Sequence, residues 1–319
     1  MAEFALIDRL AGRVPTDGPG VVLSIGDDAA VLAGLGDQQL VAATDTLNAG
    51  IHFLDDVSPF ALGHKALAVN LSDLAAMGAT PRWALLNLSL DHPDPDWLDA
   101  FADGFAALAR KHGVSLVGGD TCRGALSLGV TVLGTVPPGE ALCRSGAAAG
   151  DRVYVSGTLG DAALALRERL AGRPVTESLA RALDFPEPEL ALGKGLRPLA
   201  SACIDLSDGL LADLGHLARE SGLAARVELK LLPTSRSLEA MDEDERFALQ
   251  LAGGEDYGLC FSAAPERQVA ILALAASLGV TVTPIGELEA GTGIRCLRRD
   301  GSEWLPTRTG WEHFRESES

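Results

Sequence analysis

Five short acidic clusters in this chain sit beside glycine, serine or threonine, a combination from which a cation or phosphate site can be built. They are Gly26-Asp27-Asp28, Thr44-Asp45-Thr46, Gly118-Gly119-Asp120, Asp205-Leu206-Ser207-Asp208-Gly209 and Gly253-Gly254-Glu255-Asp256. Each borders an apolar stretch that reads as a strand or as the run-in to a loop. Taken singly, any one of them is a turn, because Asp and Gly are favoured there for local backbone reasons. Five together favour a shared site, since ligands in open α/β sheets bind outside the strand ends.

Asp73 is different in kind. It falls in residues 59–77, which carry helical spacing, and its neighbours one turn away are Val69, Asn70, Ala76 and Met77. The carboxylate therefore projects from a largely apolar face with Asn70 as its polar companion. A charge buried there without a partner is costly. Either it is paired internally, or it faces a hard cation fed by Asp28, Asp45, Asp73 and Asp120 from separate elements. Oxygen ligands without a Cys/His cluster suit Mg²⁺, Mn²⁺ or Ca²⁺ rather than zinc, and no D-x-[DN]-x-[DN]-G calcium loop occurs. Mg²⁺ shares its shell with waters and substrate phosphates, and an acidic pocket accepts a polyphosphate only with metals between them. Mg-nucleotide chemistry is the coherent outcome. The P-loop, protein-kinase and G-x-G-x-x-G signatures are missing, so the ATP site is of another kind. Ser207, just ahead of the helix-like stretch 210–220, is either a phosphate contact or a plain N-cap.

These residues need a scaffold of mixed strands and helices. Strand-like runs at 21–25, 40–43, 85–90, 115–117 and 128–136 alternate with helical spacing at 59–77 and 96–112, and the two helices close on Gly78 and Gly113. After Pro137-Pro138-Gly139 the pattern resumes. Strands are expected at 152–155, 226–229, 259–262 and 280–283, the last closed by Pro284, and helices at 161–170, 210–220, 241–251 and 269–278. Residues 173–188 read as a loose Pro-rich connection. The Gly-, Pro- and Ala-rich stretch 138–150 separates residues 1–137 from 138–319, giving two domains of α/β (α+β) class. With 26 Lys plus Arg against 44 Asp plus Glu, the chain lacks the cation excess that nucleic acid demands. Its five cysteines are odd in number, widely spaced and without a C-x-x-C pair, which fits reduced thiols in a cytoplasmic protein. The uncharged stretch 269–286 reads as helix, Gly279 stop and strand, not as a membrane span.

With those residues in place, the sequence resembles the thiamine-monophosphate kinase family, within a superfamily that includes the aminoimidazole-ribotide and selenophosphate synthetases. The resemblance runs over nearly the whole chain. It is carried by Ser24-Ile-Gly-Asp-Asp28, Thr44-Asp-Thr46 with Gly50-Ile-His52-Phe, and the run from Lys65 through Asn70, Ser72 and Asp73 to Gly78. It continues in Gly118-Gly-Asp-Thr121, Arg144-Ser-Gly146, Ile204-Asp-Leu-Ser-Asp-Gly209, Gly253-Gly-Glu-Asp-Tyr257 and Gly310-Trp-Glu-His-Phe314. The aspartate motifs mark the superfamily; His52 in its setting, Gly-Gly-Glu-Asp-Tyr and the terminal aromatic motif narrow it to this kinase family.

The resemblance implies ATP-dependent phosphorylation of thiamine monophosphate to thiamine diphosphate. It implies that Asp28, Thr44, Asp45, Asp73, Asp120, Asp205 and Asp208 bind several Mg²⁺ ions, with Asp28, Asp45, Asp73 and Asp120 serving catalysis through them. Gly119, Asp120, Arg144 and Ser207 correspond to ATP contacts. His52, Glu255 and Trp311 correspond to the thiamine-phosphate pocket, although His52 also reads as an ordinary polar histidine and Trp311 as a packing residue. The family fold is a two-domain aminoimidazole-ribotide-synthetase-like one, an N-terminal metal- and nucleotide-binding domain pairing through a joint β-barrel into a homodimer. Ala43 departs from the family, where Ser commonly precedes Thr-Asp-Thr. The rivals are a sister ATP-dependent synthetase, a metal-dependent phosphohydrolase, and a non-catalytic metal-binding protein. The selenophosphate branch wants a reactive Cys near the N-terminus, and no Cys precedes Cys122; the hydrogenase-maturation branch wants a C-terminal Cys, and this chain ends Glu-Ser-Glu-Ser.

Overall fold

A computed structural model describes residues 9–23, 31–32 and 36–310. Asp28 and Trp311, both expected in the site, lie outside the described residues. The chain forms two compact units. One comprises Met1–Leu74 and Ala79–Ala141, the other Ala75–Gly78 and Leu142–Ser319.

The first unit holds β1 (Val21–Leu23), β2 (Val31–Leu32), β3 (Gln39–Asn48), α1 (Pro59–Ala76), β4 (Thr80–Leu90), α2 (Pro95–His112), β5 (Ser115–Arg123) and β6 (Ser127–Val136). β1 and β2 form a small ribbon, and the other strands form an open sheet in the order β3-β6-β4-β5. β4 and β5 run parallel; the other neighbours are antiparallel. Local chemistry explains the helices. Pro59 opens α1 behind Ser58, whose Oγ accepts from the Ala61 amide at 3.2 Å. Asp94 caps α2 through the Asp96 amide at 3.0 Å, and Arg110, Lys111 and His112 complement its C-terminal dipole. The two helices touch through glycine. A Cβ on Gly63 would stand 2.0 Å from the Phe101 carbonyl oxygen, and one on Gly104 would stand 1.9 Å from that of Phe60. Leu62, Leu67 and Leu71 of α1, Phe101 and Phe105 of α2, and Leu116 and Leu128 of the sheet are buried in the core. Each such side chain contributes roughly 1.5–3 kcal/mol.

The second unit holds β7 (Arg152–Ser156), α3 (Asp161–Leu170), α4 (Glu177–Asp184), α5 (Leu190–Leu196), β8 (Ala202–Asp205), α6 (Leu210–Glu220), β9 (Ala224–Glu228) and α7 (Arg236–Glu239). They are followed by α8 (Glu243–Ala252), β10 (Leu259–Ala263), α9 (Gln268–Leu278), β11 (Val282–Glu289), β12 (Ile294–Leu297) and β13 (Glu303–Trp304). Its strands form one mixed sheet, β13-β12-β9-β11-β7-β10-β8. Val153, Val155, Ile204, Leu214, Val227 and Ile285 build the core around it.

Several expected boundaries change. β3 runs through Thr44-Asp45-Thr46 to Asn48, because its ladder with β6 continues to Asn48↔Ser127. β5 likewise carries Gly118-Gly119-Asp120 inside the strand, paired with Leu85, Leu86 and Asn87 of β4. These two acidic clusters are therefore strand interiors, not turns. Pro284 does not end β11; it sits at an irregularity in the pairing with β7, where a missing N–H is tolerated. The connection 173–188 contains α4, capped by Thr176. The N-terminal sheet is open, with no barrel closing among the described residues. All five cysteines are free thiols. Among the described residues, no helix is long and apolar enough to cross a membrane.

Candidate functional site

In the N-terminal unit the candidate side chains come from an edge strand, a helix and the opposite edge strand. Thr44 on β3 donates its hydroxyl to the Val130 carbonyl at 3.1 Å and accepts from Thr131 Oγ1 at 3.0 Å. Next to it, the Asp45 amide donates to Asn70 Oδ1 at 2.9 Å, and Asn70 Nδ2 donates to the Ala66 carbonyl at 3.0 Å. Asn70 is fully buried. Its role is thus to fasten β3 to α1, rather than simply to accompany Asp73 on the helix. Because Asp73 follows one turn later on the same face, this clamp brings the Asp45 backbone to the stretch of α1 that carries Asp73, which is half-buried.

Asp120 is placed differently. It pairs with Asn87 of β4, which pairs with Gly129 of β6, which pairs with Thr46 of β3. Asp45 instead shares its row with Val130, Leu86 and Gly119. Val130 and Leu86 are buried, whereas Asn87 and Asp120 are exposed. Adjacent rows project to opposite faces of a sheet, so Asp45 and Asp120 differ both in edge and in face. Gly119 is required by close approach: a Cβ there would stand 1.9 Å from the Leu86 carbonyl oxygen. His52 lies in the turn after β3, where its Nδ1 accepts from the Asn48 amide at 2.9 Å. An accepting Nδ1 carries no proton, so a neutral ring is protonated at Nε2.

In the C-terminal unit two motifs are laid against each other by backbone hydrogen bonds. The Leu206 amide donates to the Gly258 carbonyl at 2.8 Å, Tyr257 to Leu206 at 2.7 Å and Glu255 to Ser207 at 2.8 Å. This ladder extends the β8–β10 pairing and explains Gly253-Gly-Glu-Asp-Tyr257 position by position. Gly254 has φ +70°, and a Cβ there would stand 2.7 Å from the Ser207 carbonyl oxygen. Glu255 and Tyr257 are held at φ 65° and 48°, left-handed conformations that cost of order 1–3 kcal/mol each. The Asp256 carboxylate accepts from the Gly160 amide at 2.9 Å, capping α3. Burial pushes its pKa well up, with the charges of Asp161 and Glu255 adding and the Gly160 amide opposing.

Asp205 is the buried last residue of β8, and Ser207 and Asp208 are half-buried in the turn before α6. Sequence reasoning missed Asp213, in the first turn of α6. Its Oδ2 accepts from the amides of Asp208 and Gly209 at 3.2 and 3.1 Å. Burial, then Asp205 and Asp208, push its pKa up to about 8. The legible signal was an acidic residue shortly after a Ser-Asp-Gly turn, in the manner of a capping box. Arg144 is exposed, its carbonyl accepting from Ser221 Oγ at 3.1 Å. Gly310 lies where a Cβ would stand 2.9 Å from the Asp208 carbonyl oxygen, so the chain enters the terminal aromatic motif beside the Ser-Asp-Gly turn.

The candidate donors in each unit taken by itself are hard oxygens: Thr44, Asp45, Asp73 and Asp120 in the N-terminal unit, Asp205 and Asp208 in the C-terminal unit. Such donors fit Mg²⁺, which takes one or two carboxylates and completes its shell with water and phosphate. Among the described residues, no group of three or more His, Cys, Asp or Glu is gathered so as to hold a metal ion.

Fold and residues together define a two-domain AIR-synthase-related protein. The chain matches the AIR synthase related protein, N-terminal domain, over residues 26–136 and the corresponding C-terminal domain over residues 148–297. Thiamine-monophosphate kinase of Escherichia coli (strain K12) is 44% identical, over 98% of both chains. The crystal structure of thiamine-monophosphate kinase from Stenotrophomonas maltophilia K279a is 48% identical, with a TM-score of 0.87 over 95% of this chain and 98% of that one. The structure of AaThiL complexed with AMPPCP and TMP is 33% identical, with a TM-score of 0.76 over 91% and 92%. This chain belongs to the thiamine-monophosphate kinase family.

Proposed function

We propose that this chain transfers the γ-phosphoryl group of ATP directly to the phosphate of thiamine monophosphate, giving thiamine diphosphate and ADP. The observation that carries this reading is the match to kinases of that name over 98% of both chains. The relative solved with AMPPCP and TMP supports both substrates. A phosphate monoester has its second pKa near 6, so the attacking oxygen is already ionised at neutral pH. No side chain is then needed as a general base, unlike the hydroxyl acceptor of a protein kinase. What the chain must do is bind two polyanions and orient them in line.

We assign Arg144, Gly119, Asp120 and Ser207 to the nucleotide, and His52, Glu255 and Trp311 to the acceptor. His52, protonated at Nε2 by virtue of the Asn48 contact, is a donor suited to phosphate. Thr44, Asp45, Asp73, Asp120, Asp205 and Asp208, with Asp28, would hold Mg²⁺. When bound, the metal supplies charge neutralisation and in-line alignment of the two phosphate chains. Five free thiols support a reducing, cytoplasmic setting.

The reading includes a homodimer. β3 and β5 are the two open edges of the N-terminal sheet, and closing a sheet into a barrel removes such edges. A two-fold seam of β3 against the partner subunit's β5 would set the strand that carries Asp45 against the strand that carries the partner's Asp120, so that residues of both copies contribute to each site. Incubation with ATP labelled at the γ-phosphate tests the transfer step. Label in thiamine diphosphate alone is the expected result; label retained on the protein would refute direct transfer, and label released as free phosphate would point to a hydrolase.

A further inference from the structure

A guanidinium and an imidazole meet towards the C-terminal end of α6, and the backbone of a second arginine is fastened to the same corner. Arg219 Nη2 lies 2.5 Å from His216 Nδ1. A guanidinium has only donors to offer, so Nδ1 must carry its lone pair and the ring is neutral. Arg144 belongs to the same corner. Ser221 Oγ donates to the Arg144 carbonyl at 3.1 Å and accepts from the Ala147 amide at 3.3 Å, fastening residues 144–147 to the end of the helix. Burial, then the charges of Arg219 and Arg144, lower the pKa of His216, with Asp208 and Glu220 opposing.

Neither Arg144 nor Arg219 forms an ion pair with a carboxylate among the described residues. What sets Arg219 apart from the other arginines without an ion pair is its contact with the His216 ring. Arg144 and Arg219 are like charges at one corner of the unit, and an anion bound between them would turn repulsion into attraction. Planar guanidinium forks suit phosphate oxygens.

We propose that Arg219 is a second phosphate-binding guanidinium of the nucleotide site, acting with Arg144, and that His216 is its positioning residue. The inference rests on the reading of ATP as donor and of Arg144 as a phosphate contact. His216 accepts one N–H of Arg219, so the guanidinium plane is fixed before the nucleotide arrives and its remaining donors face the phosphates.

The test is steady-state kinetics of the full chain with ATP and thiamine monophosphate varied in turn, beside calorimetric titration with ADP. Arg219→Gln should raise the KM for ATP and weaken ADP about tenfold, the effect of one lost charge-assisted hydrogen bond. The KM for thiamine monophosphate and the melting temperature should not move, because Arg219 is exposed. His216→Leu should show a smaller rise in the same KM. His216→Asn, whose Oδ1 can accept where Nδ1 does, should restore it. If Arg144→Gln weakens ADP while Arg219→Gln matches the parent protein, this inference fails and the nucleotide reading stands. If the parent protein binds neither ADP nor ATP, both fail.

Discussion

The most demanding consequence of the proposed dimer concerns Asp45 and Asp120. They occupy opposite edges of one four-stranded sheet, three strand spacings or about 14 Å apart at about 4.8 Å each, and adjacent rows turn them to opposite faces. Two carboxylate oxygens on one Mg²⁺ stand at most about 4 Å apart, so within a single chain no ion is reached by both, and across the seam, where the two faces persist, they serve separate ions of one site. Asp45→Asn and Asp120→Asn are isosteric, and each alone should lower kcat by roughly 10²–10³-fold, the scale of losing a well-placed electrostatic contact. The two inactive variants, carrying different tags, can be co-expressed and the mixed dimer isolated. If each site draws Asp45 from one copy and Asp120 from the other, the mixed dimer has one site with both substitutions and one with neither. It should then recover about half of the parental activity by symmetry. Should the mixed dimer remain as inactive as the single variants, both residues serve the site of their own chain and the proposed seam is wrong.

Other outcomes follow from the C-terminal unit. Gly254→Ala places a Cβ 2.7 Å from the Ser207 carbonyl oxygen at φ +70°. It should lower stability by about 1–2 kcal/mol, read by thermal melting, and raise the acceptor KM by displacing Glu255. Asp213, with its pKa pushed up to about 8, keeps in the folded state a proton that the unfolded chain releases near 3.8. The metal-free protein should therefore lose stability as pH rises through that window. Asp213→Asn keeps an acceptor for the Asp208 and Gly209 amides and should flatten the slope between pH 5 and 8; an unchanged slope would place the titration elsewhere.

How far the sequence carried this picture depended on whether a feature was local. The Gly113 stop of α2 and the span of α6 follow from neighbouring residues and were legible. The acids proposed as hard-oxygen donors were visible as residue types, because residue type declares the ligand chemistry on offer. The continuation of β3 past Ala43 and of β5 past Val117 was not legible, since ladder bonds from β6 and β4 decide it and override the turn preference of Asp and Gly. Asn70 looked like a companion for Asp73 because helical spacing shows only its own helix; its bond to the Asp45 amide comes from a strand 25 residues away. Asp256 was visible as an acid, but its burial against Gly160 is 96 residues distant in sequence. The unusual backbone of Glu255 and Tyr257 left no signal, because neither residue type advertises a positive φ.

The central claim is phosphorylation of thiamine monophosphate at the cost of ATP. The purified chain, given ATP, thiamine monophosphate and Mg²⁺, should form thiamine diphosphate and ADP in equal amounts, resolved by chromatography, and neither when Mg²⁺ is chelated. ATP consumed to free phosphate without thiamine diphosphate, or no ATP turnover at all, would contradict it.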